Sequence, residues 1–132
     1  MNSAAAFYLR ASQSHLEAAR FCRDGEHFGV AIAESYHAIL AAVKVRVLKR
    51  GNEPPERHSR SLSLLYHEFV EDGDLDRDVS RFVHELQAYR DDWTYEADLP
   101  ESPRKTTAKA IEVASLLKQI VDPNEASRRG TV

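Results

Sequence analysis

The sequence predicts an all-α protein, built as an up-and-down bundle of four long helices plus one short helix. Apolar residues recur every three or four positions through five segments of the 132-residue chain, which is the period of an amphipathic helix. Short helix-breaking stretches that contain glycine or proline separate these segments. The five glycines and five prolines are too few for a many-turned β-sandwich or barrel. Short connections of this kind favour antiparallel neighbours.

The first two predicted helices meet at Gly25, which is expected to supply the left-handed residue that ends the first helix. The first helix is predicted over residues 3–23 and the second over 26–50, where Gly51 ends it. The second helix has the widest apolar face and is expected to be the most buried. The apolar stripe of the first helix consists of Phe7, Ala11, Ser14, Ala18, Phe21 and Cys22. That of the second consists of Phe28, Ile32, Tyr36, Ile39, Leu40, Val43 and Val47.

A loop over residues 52–57 (NEPPER) follows, because two consecutive prolines exclude a helix there. A short third helix is predicted over residues 59–71, with Ser59 as its cap. Its apolar side carries Leu62, Leu65 and Phe69, and Gly73 closes it.

Asp74 is expected to cap the fourth helix, which is predicted over residues 74–96 and has the cleanest apolar stripe of the chain. Ser102 caps the fifth helix, since Pro103 suits the first helical position. That helix is expected to run to about Val121. The stripe of the fourth helix consists of Leu75, Val79, Phe82, Leu86, Tyr89 and Trp93.

Composition limits the function classes. The net charge of −3 argues against a protein that coats DNA by electrostatic attraction. A single cysteine, Cys22, excludes an intramolecular disulfide and is consistent with a reducing cytoplasm. No apolar run approaches the roughly 18 residues of a membrane span, and no secretory signal is expected. We expect one helical domain over residues 1–122 and a polar C-terminal tail over 123–132.

Neither a metal nor a cofactor is expected. A di-metal site in a helical bundle needs two Glu-x-x-His motifs, and among six histidines only Glu34 and His37 have that spacing. The histidines are therefore interpreted as surface or interface residues. A glycine-rich phosphate loop and a dinucleotide fingerprint are both missing. Any nucleotide or RNA would have to be bound by side chains on helices.

Charge is unevenly distributed along the middle of the chain. Residues 44–60 are rich in lysine and arginine, whereas residues 68–78 carry six acidic side chains and one arginine. The basic segment is suited to phosphates, and the acidic segment to a basic partner. The alternative is a solvated helix end followed by a helix N-terminus whose acidic residues complement the helix dipole.

A family resemblance rests on the order of three segments. Residues 35–48 read SYHAILAAVKVRVL; PPERHSRSLSLLYHEFVEDGDLD follows Gly51, and VSRFVHELQAYRDDWTYEADL comes next. This order resembles the HEPN domain family (higher eukaryotes and prokaryotes nucleotide-binding), and in particular its small prokaryotic stand-alone branch. The resemblance covers roughly residues 5 to 121.

The resemblance implies a helical bundle that commonly forms a homodimer. Many such proteins are metal-independent ribonucleases, with an arginine and a histidine in a cleft at the dimer interface. Several are toxins that pair with a minimal nucleotidyltransferase as antitoxin. Others only bind RNA, nucleotides or a partner protein.

Carried over to this sequence, the family's arginine corresponds to Arg90 and its histidine to Tyr95, while the preceding acidic position holds Thr94. Tyrosine, with a reference pKa near 10, is a poor general base at neutral pH, although it can donate a hydrogen bond. Arg90 retains the ability to neutralise a phosphate. In a straight helix, Arg90 and Thr94 share a face, whereas Tyr95 does not.

Two further positions match the family pattern. Tyr36 corresponds to a tyrosine of the second helix, and His58 with Ser59 corresponds to the His-Ser pair after the proline loop. The resemblance implies that Tyr36 and His58 belong to the binding site. A base drawn from His58 or His37 would allow ribonuclease activity without a histidine at position 95.

Three functions therefore stay open. The favoured one is a cytoplasmic RNA- or nucleotide-binding module, the toxin-like component of a pair with a nucleotidyltransferase. The second is an active metal-independent ribonuclease that uses Arg90 and Tyr95. The third is a non-catalytic protein-interaction subunit that docks through the acidic segment 68–78.

Overall fold

A computed structural model describes residues 3–91 and 102–124, with side chains up to residue 87 in the first range. Within these ranges the chain forms five α-helices and one π-helical segment, and no strand. The all-α bundle predicted from the sequence is confirmed. Of the predicted tail over 123–132, all but two residues lie outside the described ranges. The helices are α1 (Ser3–Asp24), α2 (Phe28–Lys49), α3 (His58–Leu65), α4 (Arg77–Asp91) and α5 (Pro103–Val121), and the π segment is Tyr66–Val70.

Helix α2 is the centre of the bundle, as its wide apolar face predicts. Twelve of its residues are buried, and α1, α3, α4 and α5 all pack against it. By length and composition alone α2 is also apolar enough to cross a membrane, but 61% of its most apolar window is buried inside the bundle. That burial is what the core helix of a globular protein shows.

The directions of the helices follow from the contacts between them. Helix α1 is antiparallel to α2, because the Ser12 hydroxyl near its middle donates a 2.9 Å hydrogen bond to the Ala38 carbonyl, while His15 reaches back to Glu34. Helix α5 follows the direction of α2 and finishes beside it. There the Lys49 ammonium donates a 2.5 Å hydrogen bond to the carbonyl of Val121. Burial lowers the pKa of Lys49, and the nearby Arg46 guanidinium lowers it further.

Helix α3 also runs parallel to α2, unlike the antiparallel neighbour that its short connection suggests. The His58 ring, at the start of α3, lies 5.7 Å from the ring of Tyr36, whereas the carbonyl of Glu68 accepts a hydrogen bond from Arg46, ten residues further along α2. The proline loop between the helices is non-helical and returns the chain along α2. The loop thereby places the start of α3 beside the middle of α2.

Two predicted glycine stops are confirmed and one is displaced. Gly51 and Gly73 have positive φ, and the bonds Asn52 N–H to Val47 O and Asp74 N–H to Phe69 O close the Schellman pattern after α2 and the π segment. After α1, however, the left-handed residue is Glu26, with φ of 61°. Since His27 N–H bonds to Cys22 O, α1 continues one residue beyond the predicted end, and Gly25 precedes the left-handed position.

Two predicted helix starts are wrong. Arg57 occupies the N-cap position of α3, so Ser59 lies inside the first turn. Helix α4 begins at Arg77 instead of Asp74, because the Asp74 carboxylate accepts a 3.0 Å hydrogen bond from Arg46. The start of α5 is confirmed, since the Ser102 hydroxyl accepts a hydrogen bond from the amide of Lys105 and Pro103 follows as the first helical residue.

The buried face of α1 differs from the predicted stripe. The residues of α1 that are buried against α2 and α5 are Ala5, Ser12, Leu16 and Ala19. Phe7 and Phe21, the two largest members of the predicted stripe, are 57% and 80% exposed. Two large apolar residues of α1 therefore lie on its outer face.

The stripe predicted for α4 is confirmed as far as side chains are described. Leu75 before the helix, and Phe82 and Leu86 within it, are buried, and Val79 packs against the core at its edge. The side chains of Tyr89 and Trp93 lie outside the described residues.

Candidate functional site

Three histidines from three helices meet beside a buried tyrosine. His15 of α1 lies 5.3 Å from His37 of α2, measured between ring centroids, and His37 lies 6.3 Å from His58 of α3. Tyr36 completes the group, with its ring 5.7 Å from His58 and 6.2 Å from His37. We call these four residues the histidine cluster.

Each side chain reaches the cluster for a local reason. Tyr36 belongs to the fully buried face of α2, and His37, the next residue, lies half-buried at its edge. The proline loop, in which Pro55 is buried, places His58 beside this part of α2. His15 is positioned by its 2.6 Å hydrogen bond to the carboxylate of Glu34.

Glu34 contacts a histidine of α1 across the bundle. Glu34 is engaged by His15 across the α1–α2 contact. In residues 3–91 and 102–124, no group of three or more histidine, cysteine, aspartate or glutamate side chains is arranged to hold a metal ion.

The chemistry available to the cluster is proton transfer, hydrogen bonding and stacking. An imidazole has a reference pKa of about 6.5, so it exchanges protons near neutral pH. Its flat ring also stacks on an unpaired RNA base. His37 and His58 are half-buried and so reach the surface, and Arg57 and Arg60 are exposed on either side of His58. This surface combines cations, which attract phosphates, with aromatic rings.

Arg90 belongs to the last turn of α4, which packs against α2, α3, α5 and the π segment. Helix α4 starts just after Asp74, which Arg46 holds beside the C-terminal half of α2, and it packs against both α2 and α3. The thirteen residues from Arg77 to Arg90 correspond to a rise of about 20 Å. The Arg90 side chain, Thr94 and Tyr95 lie outside what the structure describes.

The basic and acidic segments of the chain pair with each other. Arg46 donates hydrogen bonds to the Glu68 carbonyl and to Asp74, and its guanidinium stacks 4.3 Å from the centre of the Phe69 ring. Arg50 forms ion pairs with Glu68 and Asp72, and its hydrogen bond to Asp72 raises the pKa of Arg50.

This pairing revises the interpretation of both segments. Lys44 lies over the ring of Tyr8 at 5.1 Å and Lys49 donates to the Val121 carbonyl, so four of the cations in residues 44–60 are already engaged. Three of the six carboxylates in residues 68–78 pair with Arg46 or Arg50. Charged side chains that the sequence analysis assigned to external partners therefore pair with each other between α2 and the π segment. Arg57 and Arg60, in contrast, are exposed beside the histidine cluster.

A concave surface lies between α1 and α5. It is a groove of about 490 Å³, lined by Arg20 and Arg23 on α1 and by Glu112 and Gln119 among others on α5. Arg23 pairs with Asp24, and the groove contains no histidine, so it offers less acid–base chemistry than the histidine cluster.

Sequence reasoning singled out Tyr36, His37 and His58, and the structure brings these three together. It missed His15 and Glu34 as partners of the same cluster. No spacing along the chain connects His15 with His58, since their approach depends on α1 and α3 packing against the same part of α2. An acidic residue one turn before His37 was the only visible signal.

Comparison with known proteins identifies the family of the chain. Residues 5–124 match the HEPN domain family model. The chain is 24% identical over 91 residues to a Methanocaldococcus jannaschii protein named "Putative toxin MJ0142", covering 69% of this chain but only 61% of that protein. The crystal structure of TT1696 from Thermus thermophilus superposes with a TM-score of 0.70 at 25% identity, covering 92% of this chain and 97% of that one. With nearly its whole length matched, this chain belongs to the HEPN domain family.

Proposed function

We propose that this chain is a toxin-like HEPN module that binds RNA at a site formed by the histidine cluster and the last turn of α4. The observation that carries the proposal is the meeting of His37 and His58, half-buried at the surface, with the exposed cations Arg57 and Arg60. The family match and the name of the archaeal relative support a toxin-like role. A cytoplasmic location, a nucleotidyltransferase as antitoxin partner, and a homodimer are parts of the same proposal.

In this proposal, cationic side chains bind the RNA phosphates and aromatic rings stack on the RNA bases. Arg90 and the two arginines beside His58 neutralise phosphates, and a guanidinium does so with two parallel hydrogen bonds. The rings of His37 and His58 stack on unpaired bases, which favours single-stranded RNA over a duplex. Thr94 and Tyr95 donate hydrogen bonds to the RNA in this proposal. The buried Tyr36 side chain helps to hold the His58 ring in position.

Replacement of Arg90 tests this function. Arg90→Ala is expected to weaken binding of a single-stranded RNA about tenfold or more, because one bidentate phosphate contact is lost. Arg81→Ala is the matched control, since Arg81 lies on the same helix, is exposed and carries the same charge. Fluorescence anisotropy with a labelled RNA at one fixed salt concentration measures both variants.

Equal losses in the two variants would reduce the effect to net charge and contradict the proposed site. Absence of any RNA affinity in the wild-type protein would remove the RNA-binding function. A protein-interaction subunit would then remain as the interpretation.

The histidine cluster also favours a second function, a metal-independent ribonuclease. In this case His58 or His37 removes the proton of the 2′-hydroxyl, since Tyr95 is a poor base, and Arg90 stabilises the charge that develops on the phosphate. The two imidazole rings lie 6.3 Å apart between centroids, which leaves room for a general base and a general acid in one site.

Cleavage of RNA in EDTA tests the ribonuclease. His58→Gln or His37→Gln is expected to lower the rate about 100-fold or more, as the loss of a general base does. His67→Gln is the control, because His67 is exposed on the π segment and pairs only locally with Glu71. Cleavage that needs a divalent cation, or that survives both cluster substitutions, would contradict this mechanism.

A further inference from the structure

The contact between His15 and Glu34 determines which nitrogen of the His15 ring carries the proton. Nδ1 of His15 lies 2.6 Å from Oε2 of Glu34, and the two side chains are 39% and 28% exposed. An ionised carboxylate accepts hydrogen bonds and donates none. The proton of this hydrogen bond therefore belongs to Nδ1, and the neutral ring carries its lone pair on Nε2.

The packing of α1 on α2 fixes the position of this ring. One turn before His15, the Ser12 hydroxyl donates a 2.9 Å hydrogen bond to the Ala38 carbonyl, and Leu16, the residue after His15, is buried. The ring of His15 lies 5.3 Å from the ring of His37, with an angle of 34° between the ring planes. Because the helix, the carboxylate and the neighbouring ring all constrain His15, the direction of its Nε2 lone pair is fixed as well.

Nε2 of His15 offers a hydrogen-bond acceptor at the edge of the histidine cluster. Within residues 3–91 and 102–124, the His15 ring makes its only hydrogen bond through Nδ1, and more than a third of the side chain is exposed. Arg57 and Arg60, the exposed cations beside the cluster, can only donate hydrogen bonds. Phosphate oxygens are acceptors and suit those arginines, whereas the lone pair on Nε2 requires a donor such as a hydroxyl group.

The ribose 2′-hydroxyl is the donor that this position fits. In the proposed function, an unpaired base stacks on the ring of His37. The ribose is attached directly to that base, so it lies beside the edge of the His37 ring, where His15 is found. The 2′-hydroxyl is also the group by which a protein distinguishes RNA from DNA.

We propose that Nε2 of His15, oriented by Glu34, accepts a hydrogen bond from a ribose 2′-hydroxyl and thereby makes the site prefer RNA to DNA. This inference rests on the proposed function and names the group of the ligand that the site recognises. His15 is the specificity-determining residue, and Glu34 is a positioning residue that acts through it. The arginines do not contribute to this preference, because RNA and DNA share the phosphates that they bind.

Binding of three single strands with the same base sequence tests the hydrogen bond. The strands carry a hydroxyl, a hydrogen or a fluorine at the 2′ position; the fluorine keeps the sugar pucker of RNA but has no proton to donate. Fluorescence anisotropy is measured at one salt concentration and at about pH 8, where an imidazole is neutral. The wild-type protein is expected to bind the hydroxyl strand about fivefold more tightly than either other strand, as one neutral hydrogen bond allows.

Variants of the pair assign the preference to its residues. His15→Phe keeps a flat ring beside His37 but removes the acceptor, and it is expected to reduce the affinity ratio to about one. Glu34→Ala lets the proton move to Nε2 and is expected to lower the ratio as well. His67→Phe and Glu17→Ala are the matched controls, since both residues are exposed outside the cluster, and they are expected to retain the ratio. The ratio is compared because the loss of a carboxylate changes the affinity for all three strands alike.

Nuclear magnetic resonance reports the tautomer without any ligand. Long-range proton–nitrogen correlation spectra of protein labelled with nitrogen-15 histidine are expected to show His15 protonated on Nδ1, with the signal assigned by its loss in His15→Phe. Glu34→Ala is expected to shift that signal toward the tautomer protonated on Nε2. Circular dichroism establishes that each variant keeps its helical content.

The outcomes separate this inference from the proposed function. A preference for the hydroxyl strand that persists in His15→Phe, equal wild-type binding of the hydroxyl and fluorine strands, or a wild-type His15 protonated on Nε2 would overturn the inference and leave the RNA-binding function standing. A wild-type protein that binds none of the three strands would contradict the proposed function, and this inference with it.

Discussion

Phe82→Asp is expected to lower the free energy of unfolding by about 4 kcal/mol or more. Phe82 is only 7% exposed, it belongs to the main hydrophobic cluster, and the ammonium of Lys109 lies 4.6 Å from the centre of its ring. Removal of a buried phenylalanine side chain costs about 3 to 5 kcal/mol, and the new carboxylate must also lose its hydration. The stability of a domain of this size is about 5–15 kcal/mol, so the loss is a large fraction of the total.

Urea denaturation followed by circular dichroism measures the change. Val30→Asp is the matched control, because Val30 is 48% exposed and receives the same charge near the start of a helix. The control is expected to change the free energy by less than about 0.5 kcal/mol. An unchanged melting temperature for Phe82→Asp would contradict the packing of α4 described above.

Arg46→Ala is expected to cost about 2 kcal/mol. The Arg46 side chain is 12% exposed, stacks on Phe69, and donates to the Glu68 carbonyl and to the carboxylate of Asp74. Its removal takes away a desolvated cation–π contact and leaves a part-buried carbonyl without this donor. Arg46 therefore joins α2 to both the π segment and the turn that precedes α4.

Arg50→Ala is the matched control for Arg46→Ala. Arg50 has two carboxylate partners, but its side chain is 39% exposed, so water and salt screen its ion pairs. We expect a cost below about 1 kcal/mol, which decreases further at high salt. Equal losses for the two variants would show that the burial of Arg46 contributes nothing.

The parts of the fold that sequence reasoning predicted are those fixed by local chemistry. The start of α5 follows from Ser102 and Pro103, whose cap and fixed φ act within one turn. The central position of α2 follows from an apolar face so wide that only the core can bury it. Both signals lie within the segment that they determine.

The predictions that were wrong concern features that depend on contacts between residues far apart in the sequence. Helix α1 buries Ala5, Ser12 and Ala19 because small side chains permit close approach to α2, and the Ser12 hydroxyl finds its acceptor there. A ranking by hydrophobicity favours the phenylalanines on the opposite face. The start of α4 differs from the predicted one for a similar reason, because Asp74 binds Arg46, 28 residues away in the sequence.

The candidate site could be predicted only in part. The resemblance to the HEPN domain family identified Tyr36 and His58, and the structure places their rings next to each other. The approach of His15 depends on the packing of α1, and the direction of α3 depends on the path of the proline loop. Neither is encoded in a short motif.

The central claim is that RNA contacts the histidine cluster and the last turn of α4. A direct measurement is photocrosslinking of the wild-type protein to RNA that contains 4-thiouridine, followed by mass spectrometry of the crosslinked peptides. We predict crosslinks to peptides that contain His37, His58 or residues 87–95. Crosslinks confined to the α1–α5 groove or to the outer face of α1, or none in the presence of bound RNA, would contradict the account.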